Sequence, residues 1–170
     1  MIDSDVMGWI AMVLNEHTQG SSILQDYSLE YTTALLMNLC LRTKGKIAAE
    51  NAQPDLLTTL SNLMECQNQQ ARNYINGTVY SLLTRSNLRE RAMEIRLDET
   101  LQKLKKSAPE QFKRQLQFIL DQLISSSGEQ LSDDDDDDDE SDEFEEAALN
   151  LDESSENDSL TDYVNGEQVR

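Results

Sequence analysis

Ser28 to Lys46 reads SLEYTTALLMNLCLRTKGK. Its apolar side chains, Leu29, Leu35, Leu36, Met37, Leu39, Cys40 and Leu41, do not share one stripe at about 3.6 residues per turn. The spacing predicts a single helix that is apolar on nearly every face and is therefore buried on several sides. Asp26 or Ser28 can cap its start, and Glu30 suits the positive end of the helix dipole. Arg42 and Lys44 fall near its end, where Gly45 is placed to stop it. In a short chain such a helix finds its neighbours by stacking, which points to a helical repeat rather than an enzyme pocket.

The flanking sequence supplies those neighbours. Val6, Met7, Ile10, Val13 and Leu14 put one apolar face on a helix from about Ser4 to Asn15, followed by a loop at Gly20-Ser21-Ser22. A short helix is expected over Lys46 to Asn51. Pro54 suits the first turn of the next, whose face is Leu56, Leu57, Leu60, Leu63 and Met64. Another helix carries Tyr74, Ile75, Thr78, Val79, Leu82 and Leu83, with Gly77 in its middle where a second backbone is expected close by. Leu88, Ala92, Ile95, Leu97, Leu101 and Leu104 continue the pattern. Ser107-Ala-Pro-Glu110 has the form of a capping box before a last helix bearing Phe112, Leu116, Ile119, Leu120 and Leu123. No stretch alternates as a half-buried strand does.

Charge divides the 170 residues in two. Residues 1–131 hold 13 basic and 15 acidic side chains, and residues 132–170 hold one basic and 18 acidic ones. The fold is thus near neutral, and the acidity belongs to a tail whose apolar surface is too small to offset the entropy of ordering. The expected organisation is helical repeats over 1–127 and a disordered acidic tail over 128–170. Asp3 and Asp5 stand where a signal peptide needs positive charge, and no apolar run reaches membrane-spanning length. The sequons at Asn76 and Asn157 then read as chance matches, and the chain as cytosolic. Cys40 and Cys66 read as small buried hydrophobes in a reducing compartment, and His17 has no partner at zinc-ligand spacing. No phosphate loop and no nucleophile–base constellation is present, so the sequence implies no catalysis, no cofactor, no metal and no small-molecule substrate.

The helices repeat one another. Leu56-Leu57, Leu60 and Leu63-Met64 match Val6-Met7, Ile10 and Val13-Leu14; Tyr74, Gly77, Val79 and Leu82-Leu83 match Tyr31, Ala34, Leu36 and Leu39-Cys40. Leu116, Ile119 and Leu120 repeat the theme more loosely. A period of about 40–47 residues is that of armadillo and HEAT arrays. The expected fold is all-α, an armadillo-like solenoid of about two to three repeats.

Leu36-Met37-Asn38-Leu39 resembles the Leu-x-Asn-Leu core of an armadillo repeat's third helix. The Tyr27–Lys44 string, with YINGTVYSLL downstream and the Asp/Glu tail, is similar to the armadillo repeat-containing protein 9 family, whose members also carry an N-terminal LisH domain. That resemblance implies a non-enzymatic scaffold in the cytoplasm and cytoskeleton, at the centriole and ciliary basal body, with ciliary or centrosomal protein partners. It implies a role in cilium assembly or stability and in Hedgehog signalling. The sequence departs from the family in having no LisH segment, and reads as the C-terminal part of a larger protein or as a short gene product. Composition alone suggests an alternative, an acidic-tailed binder of basic proteins of the histone-chaperone or import-adaptor kind.

Three sets of residues are candidates for partner contact. Asn38 sits where a ladder asparagine would hold a peptide backbone, although Ser81 occupies the equivalent place and one rung is not a ladder. Arg85, Arg89, Arg91, Arg96, Lys103, Lys105, Lys106, Lys113 and Arg114 make the last repeat basic, with Lys103, Lys105, Lys106, Lys113 and Arg114 the candidate patch. An ordinary solvated face is the simpler reading; an acidic partner, such as a tubulin tail or the chain's own tail, is the functional one. No aromatic residue interleaves the patch, which argues against nucleic acid. In the tail, Ser132, Ser141 and Ser155 precede acidic residues and are candidate phosphorylation sites, and Phe144, Ala148 and Leu151 have helical spacing. At the other end, Trp9, Ile10 and Met12 give the first helix an apolar outer face. A capping repeat is polar there, so the isolated 1–128 segment is expected to self-associate or to bind a hydrophobic dye.

Overall fold

The computed structural model describes residues 4–125. The described residues form eight α-helices and no strand: α1 Ser4–Thr18, α2 Asp26–Cys40, α3 Thr43–Glu50, α4 Leu56–Leu63, α5 Gln69–Leu82, α6 Ser86–Glu94, α7 Leu97–Ser107 and α8 Glu110–Ser125. The expected acidic tail over 128–170 lies outside the described residues.

The helices stack in register. α4 packs on α1, α5 on α2, and α8 on α5, while α3 to α5 and α6 to α8 form two three-helix units. α1 and α2 correspond to the second and third helices of a preceding unit, so the stack is an armadillo-like solenoid within the expected two to three repeats. One continuous core runs through it, from Met7, Ile10 and Leu14 through Leu36, Leu57, Leu60 and Ile75 to Leu97, Leu101 and Ile119. Each helix alone exposes its apolar stripe; only the neighbouring unit closes it.

The stretch around Gly45 departs from the sequence reading. The chain does not continue helically to Lys46: α2 ends at Cys40, with the Leu41 N–H closing back on the Met37 carbonyl, and α3 begins at Thr43. Gly45 is not a stop signal. It lies buried inside α3. A Cβ built there would stand 1.8 Å from the Leu39 carbonyl oxygen, so the missing side chain lets α3 fold tightly against the end of α2.

Nor is α2 buried on every face. Leu29, Thr32, Thr33, Leu36 and Cys40 point inward. Tyr27, Tyr31 (74% exposed), Leu35 and Leu41 face solvent. The two threonines fit the interior because each hydroxyl donates to a carbonyl one turn back, Thr32 to Ser28 and Thr33 to Leu29, both at 2.7 Å. On α1, Trp9 (51% exposed) and Met12 are open as expected, but Ile10 is fully buried. Ile10 lies on the Met7–Leu14 side of the helix, so the apolar outer face is narrower than the sequence suggested.

Helix ends account for the remaining differences. α1 runs on to Thr18, and His17 Nδ1 accepts the Leu24 N–H at 3.0 Å, tying down the following loop. Asp55, not Pro54, starts α4, its carboxylate accepting the Thr58 N–H at 3.2 Å; Pro54 follows a cis peptide bond outside the helix. Asn68 caps α5 through the Ala71 N–H at 2.9 Å. α6 and α7 are separated by Arg96 in the left-handed region, φ 57°. Ser107 belongs to the end of α7, its hydroxyl donating to the Leu104 carbonyl at 3.3 Å, so Ser107-Ala-Pro-Glu110 does not act as the expected capping box.

Candidate protein-interaction face

The third helices of the units, α2, α5 and α8, lie side by side. Aligning their core residues Leu36, Val79 and Ile119 places Asn38, Ser81 and Asp121 at one recurring position, the ladder position of an armadillo groove. The structure assigns each of these side chains a local task. Asn38 is exposed and its Nδ2 donates to the Ala34 carbonyl at 2.9 Å, within its own helix. Ser81 Oγ donates to the Cys40 carbonyl at 2.7 Å, filling an orphan acceptor at the end of α2. Asp121 accepts from Gln117 Nε2 at 2.6 Å. Three different side chains at three successive rungs do not make the repeating amide contact that an extended peptide needs.

The basic residues of the last unit serve mostly as internal ties. Arg85 Nε meets Glu50 Oε2 at 2.7 Å, and Asn87 Nδ2 meets Glu50 Oε1 at 2.6 Å, joining α3 to the start of α6. Burial alone would raise the Glu50 pKa; the Asn87 and Arg85 hydrogen bonds and the Arg85 charge outweigh it and hold the carboxyl below its ordinary value. Arg89 donates to the Leu83 and Thr84 carbonyls at 2.9 Å, closing the end of α5. Arg91 bridges Asp55 at 3.3 Å and Glu94 at 2.9 Å, and Arg96 sits 3.5 Å from Glu99. In the candidate patch, Lys105 bonds Gln117, Lys113 pairs with Glu110 at 2.8 Å, and Arg114 lies 5.7 Å from the centre of the Phe118 ring. Lys103 and Lys106, one turn apart on α7, are exposed. The patch thus reduces to Lys103, Lys106 and Arg114 on the outer side of α7 and α8. Ser132, Ser141 and Ser155 lie outside the described residues.

Sequence reasoning missed a polar seam between the units. Asn76 is 1% exposed, and its Nδ2 donates to Gln115 Oε1 at 2.9 Å; Gln115 Nε2 in turn donates to Asn73 Oδ1 at 3.1 Å. Asn76 Oδ1 has no partner. Nearby, Arg72 lies 4.8 Å over the Phe112 ring and donates to the Cys66 carbonyl at 3.2 and 2.5 Å. A cleft of about 320 Å³ opens here between Arg72, Asn76, Leu104, Pro109 and Phe112. Only the register of α5 against α8 shows that these polar residues face each other.

Both cysteines are free. Burial pushes the Cys40 thiol up to about 12, against a small opposing pull from Lys46, and burial likewise raises Cys66. Among the described residues no three His, Cys, Asp or Glu side chains converge as a metal site. No described helix is long and apolar enough to cross a membrane.

This geometry of stacked three-helix units agrees with sequence comparison. The family model described as LisH domain-containing protein ARMC9, ARM repeats, matches residues 1–124. The chain belongs to this family. Its relatives include the LisH domain-containing proteins ARMC9 of Danio rerio, 38% identical over 127 residues, and of Homo sapiens, 36% identical over 125 residues. The Bos taurus protein is 36% identical over 123 residues. These alignments cover 75%, 74% and 72% of this chain but only 15%, 15% and 18% of the relatives. The chain therefore spans about a sixth of the length of the curated ARMC9 relatives it matches. No solved structure matches it. Membership in the ARMC9 family makes this an armadillo-type protein-interaction module.

Proposed function

We propose that the chain is a non-enzymatic interaction module of the cytoskeleton, working at the centriole and ciliary basal body in cilium assembly or stability, and through the cilium in Hedgehog signalling. Family membership carries this reading: the match extends over residues 1–124, which include all of the described residues but the last. The outer surface of the stack, rather than a pocket, is the working part. In the cleft between α5 and α8, Arg72 is bonded to the Cys66 carbonyl and Asn76 to Gln115. Its partners are ciliary or centrosomal proteins.

The test is localisation of the tagged 170-residue chain in ciliated cells, with basal-body and nuclear markers and recovery of bound proteins. Concentration at the basal body, with centrosomal proteins co-purifying, supports the proposal. Nuclear accumulation with co-purifying histones overturns it in favour of an acidic-tailed histone binder.

A further inference from the structure

The seam between α5 and α8 holds a buried acceptor with nothing to accept. Asn76 is 1% exposed; its Nδ2 serves Gln115, and its Oδ1 has no partner. Gln115 points its N–H at Asn73 and its oxygen at Asn76, so it does not serve Oδ1. Buried polar oxygens are ordinarily paired, and other residues suit this place in the repeat. With Leu36, Val79 and Ile119 aligned, the positions equivalent to Asn76 are Thr33, whose hydroxyl bonds within its own helix, and Leu116. Asn76 also lines the cleft of about 320 Å³, which lies between two units and not at an end of the stack. Met64, Leu104, Phe112 and Leu116 give the cleft buried apolar walls, and exposed Ser107 and Pro109 open it to solvent. Arg72 is the cation of the cleft. Its Nε and Nη2 are both fixed on the Cys66 carbonyl, and one face of its guanidinium lies 4.8 Å from the centre of the Phe112 ring.

We infer that this cleft, an indentation of the outer surface, is the anchor point for a tryptophan side chain of a partner protein. Its volume is at the bottom of the range for ligand pockets, so it takes one large side chain while the partner's main chain stays outside. The chemistry of the walls selects the side chain. Four apolar residues call for an apolar body, the Asn76 oxygen for a donor at its tip, and the Arg72 guanidinium for a ring face. A lysine or arginine would meet the like charge of Arg72. An asparagine or glutamine would leave the apolar walls unfilled. Tryptophan suits the cleft better than tyrosine, because the indole N–H only donates and the indole is the ring a cation prefers. It is also a residue that dominates protein interfaces from buried pockets. The inference rests on the interaction-module reading and names a chemistry for its partner; it does not depend on the ciliary one.

Titration of the isotope-labelled 170-residue chain with N-acetyl-tryptophanamide, followed by nuclear magnetic resonance, tests it. The expected result is a saturable shift of the Asn76 side-chain amide and the Arg72 Nε–H, with a dissociation constant of the order of millimolar. The naphthylalanine analogue has a similar shape but no N–H, and should bind about tenfold more weakly. The tyrosine and lysine analogues should also bind more weakly. Ser107→Trp, at an exposed position on the cleft, should fill it from within the chain and abolish binding while leaving the far-ultraviolet circular dichroism unchanged. Absence of a saturable shift at Asn76 overturns the inference and leaves its oxygen to solvent. So does a naphthyl analogue that binds as tightly, a tyrosine or lysine analogue that binds better, or binding that Ser107→Trp does not diminish. Each of these outcomes leaves the interaction module standing, because the localisation experiment reads that separately.

Discussion

A methyl group on Gly45 would lie 1.8 Å from the carbonyl oxygen of Leu39. Leu39 is in the last turn of α2, and Gly45 is in α3. The obstacle is main chain and cannot rotate away, so the junction between the first two units depends on this glycine.

Gly45→Ala should therefore destabilise the protein by about 3 kcal/mol, at the upper end of overpacking costs. Gly8 is the control: it is also helical, but a Cβ there meets nothing within 4 Å. Gly8→Ala should stabilise by about 0.5–1 kcal/mol through helix propensity. Urea titrations of the two variants against the parent check both signs.

Glu50 links α3 to α6 through Arg85 and Asn87, and its pKa is lowered in the folded state. Its contribution to stability is full above the unfolded-state pKa, ordinarily about 4.3, and is lost as pH falls through the lower folded value. Glu50→Gln should cost about 1 kcal/mol at neutral pH and progressively less in acid. Unfolding curves for parent and variant should converge below the carboxylate range; a constant offset at every pH would show that the charge is irrelevant.

Asn76 and Gln115 face each other across the buried seam between α5 and α8. Gln115→Leu leaves the Asn76 amide without its remaining partner and should cost about 1–3 kcal/mol. Replacing both, as Asn76→Leu with Gln115→Leu, should cost less than the two single changes summed, because no buried amide is then left unmatched. A double-mutant cycle by thermal or urea unfolding gives the coupling, and an additive result would mean that the hydrogen bond contributes nothing.

Cys40 is fully buried, with its thiol pushed up to about 12. At mildly alkaline pH it should resist a thiol reagent for as long as the protein stays folded and react at its unfolding rate, while half-buried Cys66 should react first. Mass spectrometry of partly labelled protein identifies which thiol was modified.

Much of the architecture is legible in side-chain order, because helix faces are local. The stripes of α4 and α5 show at 3.6-residue spacing, and the Val6–Leu14 and Leu56–Met64 correspondence exposes the repeat. The Tyr27–Lys44 string is enough to place the family. Breaks between helices are harder to read. Gly45 looks like a terminator because glycine commonly ends helices, yet here its value lies in a contact with Leu39 that no local pattern encodes. Ser107 looks like a cap for α8 until the end of α7 claims it.

The candidate interaction face was the least legible part. Counting Lys and Arg in the last unit suggests a broad basic patch. Glu50 pairs with Arg85 from 35 residues away and Asp55 with Arg91 from 36, so much of that charge is spent between units. Similarly, Tyr31 and Leu35 count as core residues by composition and yet lie at the surface.

By itself the sequence determined the helical class, the repeat, the family and the confinement of the acidity to the last 39 residues, since each depends on local periodicity, composition or a contiguous string. Only the tertiary structure decided which charges are internally paired, which glycine is indispensable, and that Asn76 meets Gln115. Those features arise where units meet. A contact between residues some 40 positions apart depends on stacking register, which no single helix carries.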